Sequence, residues 1–213
     1  MVAESSGKYR IILPILSTIF IIFASITESH SEPSMGGKIS TLANIEGNLC
    51  TIANNYPHPG IGITAKHCSV EGSKVKVKID DRWIDYGTVI YEGDKYDYSI
   101  VRTDENVDIG NQVSIPKGET QSIKVGDEVC SHGGISGYSC GKILQHDQDG
   151  WISSLCSGPG DSGSPVLKDG KIIGIVTKGV HRDKYPACYD PKQTGKYAPV
   201  HVLSIDAIDA WTK

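Results

Sequence analysis

Three short segments of the chain carry side chains whose chemistry is complementary. Thr64-Ala65-Lys66-His67-Cys68 offers an imidazole, Tyr96-Asp97-Tyr98-Ser99-Ile100-Val101 a carboxylate, and Gly160-Asp161-Ser162-Gly163-Ser164-Pro165 a hydroxyl. A serine hydroxyl is a weak nucleophile at neutral pH and needs a base within hydrogen-bond reach. Imidazole titrates in the useful range. The imidazole in turn needs a carboxylate to fix its tautomer and to stabilise the imidazolium. Backbone N–H groups in a glycine-containing turn can receive an oxyanion that develops on the substrate. Taken alone, Gly-Asp-Ser-Gly is also an ordinary turn sequence, so the weight rests on the three segments together.

The elements between these segments read as strands. Val75–Ile79 alternates Val and Lys with a period of two, as a half-buried strand does. Trp83–Tyr91 and Tyr98–Arg102 are similar, and Val125–Cys130 and Tyr138–Leu144 flank a glycine-containing loop. Pro165–Leu167 and Lys171–Thr177 flank Lys168-Asp169-Gly170, a hairpin signal. Only Val200–Trp211 reads as helical, with Val200, Leu203, Ile208 and Trp211 approximating one face. Many short strands, 24 glycines and one terminal helix imply an all-β antiparallel barrel architecture.

Lys8 and Arg10 precede an uncharged run of 16 residues, Ile11–Ile26, that contains Pro14. A bilayer span needs roughly 20 residues, so the run reads as a secretory signal peptide over an uncleaved membrane anchor. The expected organisation is a signal peptide over 1–30, its end approximate, a short pro-segment or lead-in over 31–37, and one domain over 38–213. Export makes disulfides the expected state of the six cysteines. No C-x-x-C pair occurs and the seven histidines are scattered, so no metal site is expected. The net charge is −4 with no basic run, which speaks against a nucleic-acid partner.

The three segments together resemble the chymotrypsin-like family of serine peptidases. Their order, His67 then Asp97 then Ser162, is that family's order. The segment at Ser162 is not G-x-S-x-G, which disfavours an α/β-hydrolase elbow. Cys50 and Cys68 bracket the histidine loop, Cys130 and Cys140 bracket a middle loop, and Cys156 and Cys188 bracket the serine turn and a following strand. These pairs, and the Asp97 segment, resemble the small bacterial α-lytic and streptogrisin-like branch. The resemblance runs from Cys50 to the terminal helix and implies two six-stranded antiparallel β-barrels with a C-terminal helix. It also implies three disulfides, Cys50–Cys68, Cys130–Cys140 and Cys156–Cys188, each worth about 2–4 kcal/mol.

The roles that follow from the resemblance are these. Ser162 is the nucleophile, His67 the general base and Asp97 its orienting carboxylate. The N–H groups of Gly160 and Ser162 form the oxyanion hole. Thr177, Lys178 and Gly179 pair with an extended substrate, and Thr177 bonds Asp97. The implied protein is a secreted, monomeric endopeptidase acting on protein or peptide substrates. It needs no cofactor and has no stable membrane association once the signal is removed. The alternatives are a peptidase homologue acting as a binding module and an esterase on the same fold.

Departures from the family pattern carry expectations too. Lys66 stands where the family has a small residue and must snorkel or pair, so the histidine loop is expected to shift. Ser164 replaces a common glycine, a mild change. Asp161 lacks an evident cation, and His132 is the candidate partner, the alternative being backbone alone. His58, His146, His181 and His201 read as solvated side chains, Trp83 and Trp151 as core aromatics, and Lys74, Lys76 and Lys78 as a solvated strand face. The substrate pocket is expected from Leu155–Pro159, Val176–Gly179 and the segment near Tyr197. No acid occurs in Ser153–Pro159, which points to an apolar or small substrate side chain unless Asp183 or Asp190 reaches in.

Overall fold

The computed structural model describes residues 39–107, 114–192 and 195–209. The expected signal peptide and lead-in lie outside them, as does Trp211. Six strands, β1 (Ser40–Ile45), β2 (Asn48–Asn54), β3 (Ile61–Thr64), β4 (Lys74–Ile79), β5 (Arg82–Glu92) and β6 (Ser99–Thr103), close a barrel in the order β1-β2-β3-β6-β5-β4. Six more, β7 (Glu128–Gly133), β8 (Gly137–Asp147), β9 (Gly150–Ser153), β10 (Pro165–Lys168), β11 (Lys171–Gly179) and β12 (Val200–Ser204), close a second as β10-β11-β12-β9-β8-β7. Every pairing within the barrels is antiparallel, and a short helix, α1 (Ile205–Asp209), follows β12. Each six-stranded sheet thus closes on itself.

Local sequence explains these elements. In β4 the valines Val75 and Val77 are buried and Lys74 and Lys76 exposed, as the alternation requires. The β10–β11 hairpin turns on Asp169 and Gly170, both with positive φ, the twist-matched two-residue form. The β4–β5 hairpin uses the same device at Asp80 and Asp81. Neither is glycine, but aspartate tolerates the left-handed region better than most residues.

Two cores fill the barrels. Ile45, Ile52, Val75, Tyr86 and Val101 pack in the first, and Ile143, Trp151, Leu155, Ile173 and Val202 in the second. A third cluster joins them, with Ile63, Tyr98 and Ile100 from the first barrel meeting Leu167, Ile175, Leu203 and Ile205 from the second. Burying each such side chain contributes about 1.5–3 kcal/mol, so the junction between barrels is itself a hydrophobic core. The catalytic candidates sit on its rim.

Two expectations are corrected here. Val200–Trp211 is not one helix: β12 occupies its start, paired with both β9 and β11, and α1 begins only at Ile205. With neighbours on both sides, β12 buries four consecutive residues, Val200–Leu203, and loses the period that marks a half-exposed strand. Trp83 is not a core aromatic. It lies 42% exposed near the β4–β5 turn, whereas Trp151 is buried as expected.

Candidate active site

His67 and Asp97 meet because β3 and β6 pair. Thr64, the last residue of β3, lies opposite Ser99, the first of β6. The chain leaves β3 through Ala65 into a single 3₁₀ turn, Lys66–Cys68, which carries His67. The Cys50–Cys68 disulfide fastens that turn to β2. Asp97 stands two residues before β6. Its carboxylate accepts the His67 backbone N–H at 3.0 Å and lies 2.9 Å from His67 Nδ1. Burial works against the Asp97 charge, but the bonds from His67 and from the Lys66 and His67 backbone outweigh it and lower the carboxyl pKa. The hydrogen bond to Asp97 raises the imidazole pKa, against a smaller opposing effect of burial.

Ser162 is supplied by the second barrel. The turn 160–163 leads into β10, and Gly163 N–H donates to Val176 O of β11 at 2.7 Å. Gly163 has φ +93°, and a Cβ there would lie 2.1 Å from Thr51 O, so only glycine lets the turn dock. His67 Nε2 lies 3.0 Å from Ser162 Oγ, and Thr177 O is the hydroxyl's other neighbour at 3.3 Å. Asp97, His67 and Ser162 thus form one hydrogen-bonded line across the barrel junction.

Thr51 holds that junction and was not legible in the sequence. This fully buried residue of β2 donates its N–H to Ser162 O at 2.8 Å and its hydroxyl to Gly160 O at 2.8 Å. The same hydroxyl accepts Gly134 N–H at 2.9 Å. With its carbonyl taken by Thr51, the Gly160–Asp161 peptide is fixed in orientation. Among the described residues, the N–H groups of Gly160 and Ser162 donate to no protein acceptor.

Asp161 is wholly buried and is held by backbone. Its Oδ1 accepts Ile135 N–H at 2.9 Å and Ser136 N–H at 3.1 Å, and its Oδ2 accepts Gly158 N–H at 2.8 Å. His132 is therefore not its partner. That ring lies on β7 with Nδ1 2.9 Å from Ser40 Oγ of β1. The reason is the turn Gly134–Ser136 between β7 and β8, which folds its N–H groups over the carboxylate. A Cβ on Gly133 would sit 2.4 Å from Asp161 Oδ1, so glycine there lets the carboxylate pack against the strand.

Three further readings change. Lys66 does pair, donating to Gly93 O at 2.9 Å, and His67 still reaches both partners. Thr177 Oγ1 turns away from Asp97 and lies 2.7 Å from His201 Nδ1. His201 is not solvated: it is 4% exposed, with Nε2 2.9 Å from Asp149. Its place on β12, opposite Lys178 of β11, encloses it between strands. His58, His146 and His181 are exposed, as read. All three expected disulfides are present.

A cavity of about 420 Å³ opens beside His67 and Ser162. Ser157–Pro159 and Val176–Gly179 line it, as the sequence implied, but Leu155 is buried in the core and Tyr197 does not reach it. Neither Asp183 nor Asp190 lines it. Arg182 does, brought in by the loop after β11.

The trypsin family model matches residues 57–204. No curated protein matches the chain. Among solved structures, the chain is similar to the Rv3671c protease of M. tuberculosis in its inactive form, with a TM-score of 0.60 and 16% identity over 82% of this chain and 87% of that one. It is similar to Cellulomonas bogoriensis chymotrypsin, with a TM-score of 0.56 and 22% identity over 81% of this chain and 93% of that one. It is also similar to the HtrA-type protease AlgW with tripeptide, with a TM-score of 0.63 and 17% identity over 83% of this chain and 60% of that one. At these identities the likeness is one of fold.

Proposed function

The chain belongs to the trypsin family and is a chymotrypsin-like serine endopeptidase, and on that premise we propose that His67, Asp97 and Ser162 are its catalytic triad. The observation that carries this reading is the unbroken line from Asp97 through His67 to Ser162 beside an open cavity. Ser162 Oγ attacks the scissile carbonyl as His67 Nε2 takes its proton, and His67 returns that proton to the leaving amine. Asp97 holds Nδ1–H, so that Nε2 is the basic nitrogen. The N–H groups of Gly160 and Ser162 receive the oxyanion, which their lack of acceptors among the described residues supports. Thr177, Lys178 and Gly179 line the cavity, and an extended peptide would pair with their backbone. Water then releases the acyl group from Ser162, again with His67 as base.

The proposal extends to the setting of the enzyme. Three disulfides favour an oxidising compartment, and the charged-then-apolar stretch before residue 30 supports export. Residues 1–30 would then be a signal peptide and 31–37 a lead-in to the peptidase domain. Among the described residues no helix is long and apolar enough to cross a membrane. The enzyme is proposed to act as a monomer on peptides, with no nucleic-acid partner.

The pH dependence tests the assignment of His67. The free enzyme must hold His67 neutral to accept the Ser162 proton. Because Asp97 raises the imidazole pKa, protonation persists to higher pH than for a free histidine. In a pH–rate profile of peptide amide hydrolysis, kcat/KM should therefore climb with pH through a midpoint above the ordinary imidazole value of 6.5. An acid limb centred below that value would contradict the assignment.

A further inference from the structure

We propose that the cavity beside Ser162 selects an acidic side chain, Asp or Glu, at the substrate residue preceding the scissile bond, with Arg182 as its counter-charge. The proposal rests on the endopeptidase reading above and names the substrate class of that same site.

The charges around the cavity carry the inference. Its lining includes two cations, Lys178 and Arg182, and one carboxylate, Asp97. Asp97 is already committed to His67. Among the described residues, no ion pair engages Arg182 or Lys178. The two acids of the neighbouring loop do not compensate: Asp183 is outside the lining, and Asp190 caps the Lys192 N–H at 2.8 Å. A pocket of this kind repels a lysine or arginine side chain and attracts a carboxylate.

Arg182, an exposed residue of the loop after β11, passes close to the cavity wall at Gly179. Its stem lies against the backbone of Gly179, where a Cβ would come within 2.3 Å of Arg182 Cδ and 3.2 Å of Nη1. Glycine at 179 therefore leaves the space that the arginine occupies beside the cavity. A guanidinium presents a rigid fork of N–H donors that matches a carboxylate in two parallel bonds. A substrate carboxylate in the cavity meets a guanidinium that no ion pair among the described residues engages. Glutamine has the shape of glutamate without the charge, so the comparison of the two isolates this interaction. The absence of acids in Ser153–Pro159 remains consistent with this reading. The apolar-or-small preference it implied took no account of a cation arriving from the next loop.

The test uses the mature enzyme and a set of peptide anilides that differ only in the residue before the scissile bond: Glu, Asp, Gln, Leu or Lys. Active sites are counted first with a generic fluorophosphonate. The expected result is a kcat/KM for Glu or Asp at least about 10-fold above that for Gln at low salt, shrinking as salt screens the charges. Arg182→Ala should lower the Glu-to-Gln ratio several-fold, any remainder resting on Lys178, Arg182→Lys should keep more of it, and Arg182→Glu should favour Lys over Glu. Wild-type enzyme that titrates fully yet cleaves Gln or Leu substrates as fast as Glu and Asp overturns the proposal and leaves the endopeptidase reading intact. An acidic preference unchanged in Arg182→Ala overturns it as well. Failure of Ser162 to titrate removes the endopeptidase reading, and this proposal with it.

Discussion

Ser162→Ala is expected to lower kcat for peptide amide hydrolysis by about 10⁶-fold, the scale on which triads of this type depend on their nucleophile. The alanine removes the oxygen that His67 Nε2 faces at 3.0 Å and leaves the imidazole with no proton to take. The surrounding turn should survive, because its anchors are backbone: Ser162 O on Thr51 N–H and Gly163 N–H on Val176 O. The oxyanion donors and the cavity remain, so a residual rate above that of water should persist. A triad acts as a unit, and its losses do not add. His67→Ala combined with Ser162→Ala should thus be scarcely slower than Ser162→Ala alone. Steady-state kinetics on the three variants decide this, and multiplicative losses would mean that the two residues do not work together.

Asp161→Asn is the second large effect, although the substitution is nearly isosteric. The buried carboxylate accepts three N–H groups through two oxygens. An amide offers one acceptor oxygen and places NH₂ where the other stood. If the oxygen stays with Ile135 and Ser136, the NH₂ confronts Gly158 N–H, donor against donor, and the reverse flip strands two N–H groups. Each buried donor left unpaired costs about 1–3 kcal/mol. Gly158 opens the turn that carries Gly160 and Ser162, so the loss should be felt where the oxyanion forms. Misaiming one such donor costs about 10²–10³ in kcat. The expected result is a kcat lowered by that factor in protein that is still folded, with KM little changed. A fall in kcat no greater than the fall in folded fraction would reduce Asp161 to a stabilising residue.

The parts of this molecule that were legible in the sequence are those fixed by local chemistry. Val75–Ile79 alternates because one face of β4 meets a core, and Asp169-Gly170 turns because both residues tolerate positive φ. His67, Asp97 and Ser162 could be named from their segments and chain order, and the cysteines could be paired by resemblance. What escaped notice depends on the fold bringing distant segments together. Thr51 looks like any strand threonine until β2 meets the serine turn across the barrel junction, 109 residues away at Gly160. His201 sits in a short run that reads as polar and terminal, yet β9 and β11 flank it on both sides. The sequence suggests a cation for Asp161, because it does not reveal backbone N–H groups that a neighbouring turn folds over a carboxylate. Arg182 lies in a loop rich in charge of both signs, and only the packing against Gly179 singles it out from Asp183 and Lys184.

The assignment of Ser162 as the nucleophile is tested most directly by covalent labelling. Oxidised, correctly processed enzyme is treated with a fluorophosphonate, digested and mapped by mass spectrometry. The triad predicts a single phosphonylated residue, Ser162, with labelling abolished in Ser162→Ala and greatly slowed in His67→Ala. Unlabelled Ser162 in protein that retains its three disulfides and its fold, or modification at another hydroxyl, would contradict it.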